Sequence, residues 1–209
     1  MIRREDIVSF WSLLNRPTTD GLWVHPEDER FFGNTRHSFD LRFPVSPYIG
    51  NILDADVIIL GANAGFDPII TPSEFPSQDI IEAYVARVHD PRAASWDFVS
   101  EYYHTTNYGA ALAEGRAALV NASPYRSKKI SEEPENRALI ENLPSTRFNR
   151  NWLREAIFPL AATGSVRVAA KRYGLWKMTP EEKSAPGIYV DTAPVSPRLT
   201  SAALAALQK

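Results

Sequence analysis

No cysteine occurs in the 209 residues, which excludes disulfides, thiolate metal sites and iron–sulfur clusters and fits a reducing compartment. Long apolar runs are missing as well. A stretch such as Val57-Ile58-Ile59-Leu60 falls far short of the roughly 20 residues that a membrane span needs. Behind Arg3 and Arg4 comes Glu5-Asp6 rather than an apolar segment, so no signal peptide is expected and a cytoplasmic protein is. Histidine is scarce, at 4 residues, and no spacing of His, Asp and Glu suits a metal. Neither a metal nor another cofactor is expected. Internal repeats and low-complexity tracts are absent. An overall net charge of −2 does not mark the whole chain as a polyanion binder.

What is present is a globular composition, 44% hydrophobic, in a chain long enough for one domain with a sizeable core. Charge is divided unevenly along it. Residues 1–119 carry 9 Lys+Arg against 17 Asp+Glu, a net of −8, whereas residues 120–177 carry 11 against 5, a net of +6. The second segment is either an ordinary solvated surface or a basic face for phosphate or nucleic acid.

Apolar spacing predicts an N-terminal helix over residues 4–14, stopped before Pro17. Residues 18–50 are irregular and rich in aromatics and prolines, which suits an arm packed on the domain better than a linker. A continuously apolar strand is expected at 56–60, as for a strand covered on both faces. Further strands are expected at 117–122, 166–170 and 188–192. Helices are expected from Ser77 to about residue 88, with interruptions over 94–114, and over 132–142, 146–162 and 199–208. Gly164 suits a helix C-cap. Strands alternating with helices imply a parallel sheet between helical layers, with ligands outside the carboxyl ends of its strands. Three such ends are polar or glycine-bearing: 61–67, 121–127 and 192–198. One domain over 1–209 is expected, with the helix and arm of residues 1–50 packed on it.

Taken alone, Gly61-x-Asn63-x-Gly65 is neither a dinucleotide fingerprint nor a Walker loop, because the third glycine and the Lys are missing. Its neighbours add meaning. Pro47-Tyr48-Ile49-Gly50-Asn51, then the strand, then Gly61-Ala62-Asn63-Ala64-Gly65-Phe66 resembles the first motif of the uracil-DNA glycosylase superfamily, in a poorly characterised bacterial branch. Leu119-Val120-Asn121-Ala122-Ser123-Pro124-Tyr125-Arg126-Ser127 is similar to the same branch. So are Val166-Arg167-Val168-Ala169-Ala170 with Trp176, and Ser196-Pro197 in the last loop.

That resemblance implies a three-layer α/β/α sandwich with a four-stranded parallel sheet in the order 2-1-3-4, and a pocket for a base flipped from DNA. It assigns Asn63 to positioning the water that attacks the sugar. Gly61, Ala62, Gly65, Phe66 and Asn121 would bind the base, with Asn121 reading its edge through an amide donor and acceptor. Arg126, Ser127, Lys128, Ser196 and Arg198 would hold phosphate. Lys129 extends the basic cluster. Ala64 departs from the family's usual Pro, and Pro194 stands where a leaving-group His is normal, so weak activity is expected. Other readings of the same residues stay open. Asn63 and Gly65 also suit a strand-to-helix turn, Asn121 a turn that caps its own backbone, Phe66 a core plug, and Asp67 a helix cap. The function expected is nucleobase or nucleic-acid binding, with hydrolysis of an N-glycosidic bond. The rivals are a non-catalytic binding module and a hydrolase or transferase acting on free nucleosides.

Overall fold

Branched and small apolar residues dominate the strand-forming stretches, and in this computed structural model, which describes residues 1–33, 35–93, 100–193 and 198–208, they assemble one sheet. Its strands are β1 (Tyr48–Ile49), β2 (Val57–Gly65), β3 (Ala117–Ser127), β4 (Arg167–Ala170) and β5 (Ile188–Val190), ordered β1-β3-β2-β4-β5. β3, β2, β4 and β5 run parallel, and β1 lies antiparallel to β3. The expected four-stranded parallel sheet is therefore a five-stranded mixed one. The extra strand is two residues of the arm, too short to show any periodicity. Gly50 follows it with φ +87°, and a Cβ there would lie 2.9 Å from the Ala117 carbonyl oxygen, so the close approach of arm to sheet demands glycine.

β3 is also longer than expected, and all eleven of its residues are buried. Ser123 to Ser127 reads as a loop because it is polar and holds a proline. It stays extended because β2 pairs with it on one side and the arm on the other. Across the arm side, Ser46 N donates to Pro124 O (3.0 Å), Asn121 N to Pro47 O (2.9 Å) and Asp40 N to Arg126 O (2.9 Å). Pro124 has no N–H to give, and at this edge its carbonyl alone is used.

Side chains alternate along each strand, so the sheet feeds two cores. On one face Ile58, Leu60, Val120 and Val168 meet Ile7 and Trp11 of helix α1 (Asp6–Trp11), together with Trp152, Ile157 and Trp176. On the other, Val57, Ile59, Leu119 and Ala169 meet Ala111, Leu112, Leu199 and Ala203. Burial of this kind contributes about 25 cal/mol per Å² of apolar surface and is the main force holding the layers together. Ser77 caps the helix Gln78–His89 as expected, accepting from Ile80 N. The expected helix 146–162 is instead Pro144–Trp152, a π turn at Leu153–Ile157 and a last segment Phe158–Ala162. Pro159, which cannot donate, lies just past that π turn. Gly164 ends this run in the left-handed region, at φ +77°. No helix among the described residues is long and apolar enough to cross a membrane.

A buried polar network fastens the arm to the far side of β3. Tyr125 Oη donates to Asp28 Oδ2 (2.6 Å), Ser145 N donates to Asp28 Oδ1 (3.0 Å), and His25 N donates to Tyr125 Oη (3.2 Å). Burial raises the Asp28 carboxyl above its ordinary value, with the hydrogen bonds from Ser145 and Tyr125 pulling the other way. Tyr125→Phe would leave a buried carboxylate oxygen and the His25 N–H without their partner. It is expected to cost about 1–3 kcal/mol, read as a lower urea midpoint with an unchanged slope.

Candidate functional site

Past Leu60 and Val120 the paired strands β2 and β3 continue as Gly61 opposite Asn121, Asn63 opposite Ser123 and, after a slip in register, Gly65 opposite Ser127. Here the apolar sequence gives way to small and polar residues, and a cavity of about 770 Å³ opens at the carboxyl ends of β2, β3 and β4. This is where an open α/β sheet is expected to bind ligands. Gly61, Ala62, Asn63, Gly65, Phe66, Asn121, Arg126 and Lys128 all line it. Ser127 and Arg198 do not, and Pro194 and Ser196 lie outside the described residues.

Asn121 is 1% exposed and held from three sides. Its Nδ2 donates to Ser46 O (2.7 Å), its backbone N donates to Pro47 O, and its carbonyl accepts from Asn149 Nδ2 (3.0 Å). Because only the amide nitrogen can face a carbonyl, this bond fixes the orientation of the side chain. One of the two amide N–H groups is used in this way, and the other, with Oδ1, makes no further side-chain hydrogen bond among the described residues. Gly61 makes room for it, since a Cβ at that position would sit 2.5 Å from Asn121 Oδ1. Trp176 Nε1 donates to Gly61 O (2.8 Å) and holds the loop in place.

Asn63 Nδ2 donates to Ser127 Oγ (3.0 Å) and to Ala64 O (2.7 Å). Its Oδ1 is left to accept a hydrogen bond, from water for example, but an amide takes up no proton. Half-buried Phe66 lines the cavity near Phe43, with ring centroids 6.4 Å apart. Asp67 braces the turn that leads into the short helix Ile70–Glu74: its Oδ1 accepts from Ile69 N and Ile70 N, both at 2.8 Å, and those bonds hold its carboxyl below the ordinary range.

The expected phosphate contacts divide. Arg126 is buried and gives Nε to Pro44 O (2.9 Å) and a terminal nitrogen to Gly65 O (3.2 Å), so it ties the arm to the loop. Ser127 is buried and receives Asn63. Lys129 pairs with Glu132 (3.3 Å). Lys128 is exposed and at the cavity, where a ligand anion can meet it. Arg198 is exposed and offers its carbonyl oxygen to Lys171 Nζ (2.8 Å).

Sequence reading passed over two sets of residues. Lys171 and Arg172, directly after β4, line the cavity, and the strand-end rule applied to β4 would have found them. Tyr84, Tyr103, Tyr108 and Phe75 form an aromatic wall. Burial raises the Tyr103 and Tyr108 hydroxyls well above the ordinary value, so they stay protonated. No histidine lines the cavity among the described residues, and no three His, Asp or Glu side chains gather there as metal ligands.

No protein-family model, curated protein or solved structure matches the chain. The site's chemistry therefore rests on its geometry: aromatic side chains in the lining, the amides of Asn63 and Asn121 held in place, and cations at the rim. Because Asn121 is pinned, Gly61→Ala is expected to cost about 1–3 kcal/mol through overpacking. Gly65→Ala, which faces open space, should stay within about 0.5 kcal/mol, both read from urea midpoints.

Proposed function

We propose that the protein binds a nucleobase in this cavity and hydrolyses the N-glycosidic bond behind it. The observation that carries the reading is Asn121, whose carboxamide is held by Ser46 at the edge of a cavity lined by aromatic side chains. A planar heterocycle with a ring N–H satisfies both features, by hydrogen bonding at its edge and stacking on its faces. Asn63 Oδ1 would hold the attacking water. The bond breaks toward an oxocarbenium sugar and an anionic base, and Lys128, Lys171 and Arg172 supply positive charge at the cavity. Without a general base the reaction would be slow. The fold that goes with this reading is the glycosylase-like α/β/α sandwich, with DNA bearing the flipped base as substrate.

A rival ligand, the free nucleoside or nucleotide, gains support from Arg126 and Ser127. Both spend their polar atoms inside the protein, which leaves few groups for a polymer backbone.

Oligonucleotides carrying uracil, hypoxanthine, xanthine or mismatches should yield abasic sites, detected by alkaline cleavage. Asn63→Ala is expected to lower turnover on the order of 100-fold with little change in affinity, as for an interaction made mainly in the transition state. Absence of abasic sites together with absence of nucleobase binding would sink the reading. For duplex DNA, Lys128→Ala should flatten the log–log salt dependence of binding by about 0.9, whereas a free nucleoside would bind with no such dependence.

A further inference from the structure

The carboxyl end of β4 brings a lysine to the lining of the cavity. Lys171 is only 5% exposed, yet it borders the same space as Asn63 and Asn121. Among the described residues Nζ makes one hydrogen bond, to Arg198 O at 2.8 Å. No carboxylate among the described residues forms an ion pair with it. The nearest acidic influence is Asp191, whose own oxygens accept from Ala193 N, Thr200 N and Thr200 Oγ1. The adjacent cation is Arg172. A lysine that is desolvated and set beside another cation is the arrangement that activates an amine as a nucleophile.

We propose that Lys171 is a covalent residue, condensing through Nζ with the open-chain aldehyde of a sugar that has lost its base. This rests on the base-binding reading of the cavity and extends it to the second half of the ligand. In the step, the Nζ lone pair attacks C1′ and a C–N bond forms. The carbonyl oxygen takes one proton from the nitrogen and one from solvent and departs as water, leaving a protonated iminium between Lys171 and the sugar. Nothing is oxidised or reduced, and hydrolysis reverses the step. Burial, with Arg172 adding to it and Asp191 opposing it, lowers the ammonium to about 8, so a useful fraction is neutral near neutral pH. An ordinary lysine, near 10.4, would be almost wholly protonated there.

The test is reductive trapping with cyanoborohydride as hydride donor, in two arms: 2-deoxyribose 5-phosphate, and an oligonucleotide with a preformed abasic site. Neither requires the protein to cleave a glycosidic bond, and separate titration with free nucleobases examines base binding on its own. The expected result is a stable adduct whose mass maps to the peptide containing Lys171, trapped faster as pH climbs toward about 8. Adduct in the free-sugar arm alone identifies a small sugar phosphate, and adduct with the oligonucleotide identifies nucleic acid. Lys171→Arg should lose the adduct while Lys129→Arg keeps it. Peptide mapping of the unaltered protein decides the matter even if Lys171→Arg does not fold. Adduct spread over surface lysines, or none on Lys171 in either arm, overturns the proposal.

Discussion

The covering of the outer edge of β3 by the arm is the constraint on which the rest of the structure hangs. An exposed edge strand carries unpaired N–H and C=O groups and invites pairing with other chains. Here Asp40, Ser46 and Pro47 meet that edge through backbone hydrogen bonds, and Tyr48 and Ile49 pair with it as β1. The same contact reaches the site. Ser46 presents its carbonyl to Asn121 Nδ2, and Pro44 presents its own to Arg126. A segment that looks like packing material thus holds the side chain of Asn121 in place beside the cavity.

Buried polar groups link this edge to the core. Asn149 accepts from Trp11 Nε1 (3.1 Å) and donates to Asn121 O, so the first helix and the site share one amide. Trp152 Nε1 donates to Arg4 O (3.0 Å), and Trp176 to Gly61 O. Each indole fills core volume while its N–H fixes a backbone that would otherwise be free. A loss at any of these points leaves an unsatisfied group in a dry interior, which costs more than the bond itself contributed.

Much of this was legible in the sequence where one physical signal dominated. Val57 to Leu60 and Val168 to Ala170 are apolar without a break because both sheet faces are covered, and their parallel pairing followed. Asn63, Phe66 and Asn121 were legible as candidates because they fall where the apolar run of a strand gives way to small or polar residues, and all three line the cavity. Other features obey no local signal. β1 exists only because the arm reaches β3. The tail of β3 is extended through partners on both sides, against its own composition. Tyr84 and Tyr108 look like core residues at helical spacing, and only the fold turns them toward the cavity. Arg126 looked like a solvated cation and is buried, since the carbonyls that satisfy it come from residues 61 and 82 positions away.

Arg126 has a neighbour in the same state. Arg87 is buried, and both of its terminal nitrogens are without a hydrogen-bond partner among the described residues. Its guanidinium lies 4.4 Å from the centre of the Tyr84 ring, and that of Arg126 lies 5.9 Å from the same ring. One phenol ring thus lies within cation–π range of two like charges. The cavity wall that Tyr84 lines is therefore backed by buried positive charge rather than by neutral core.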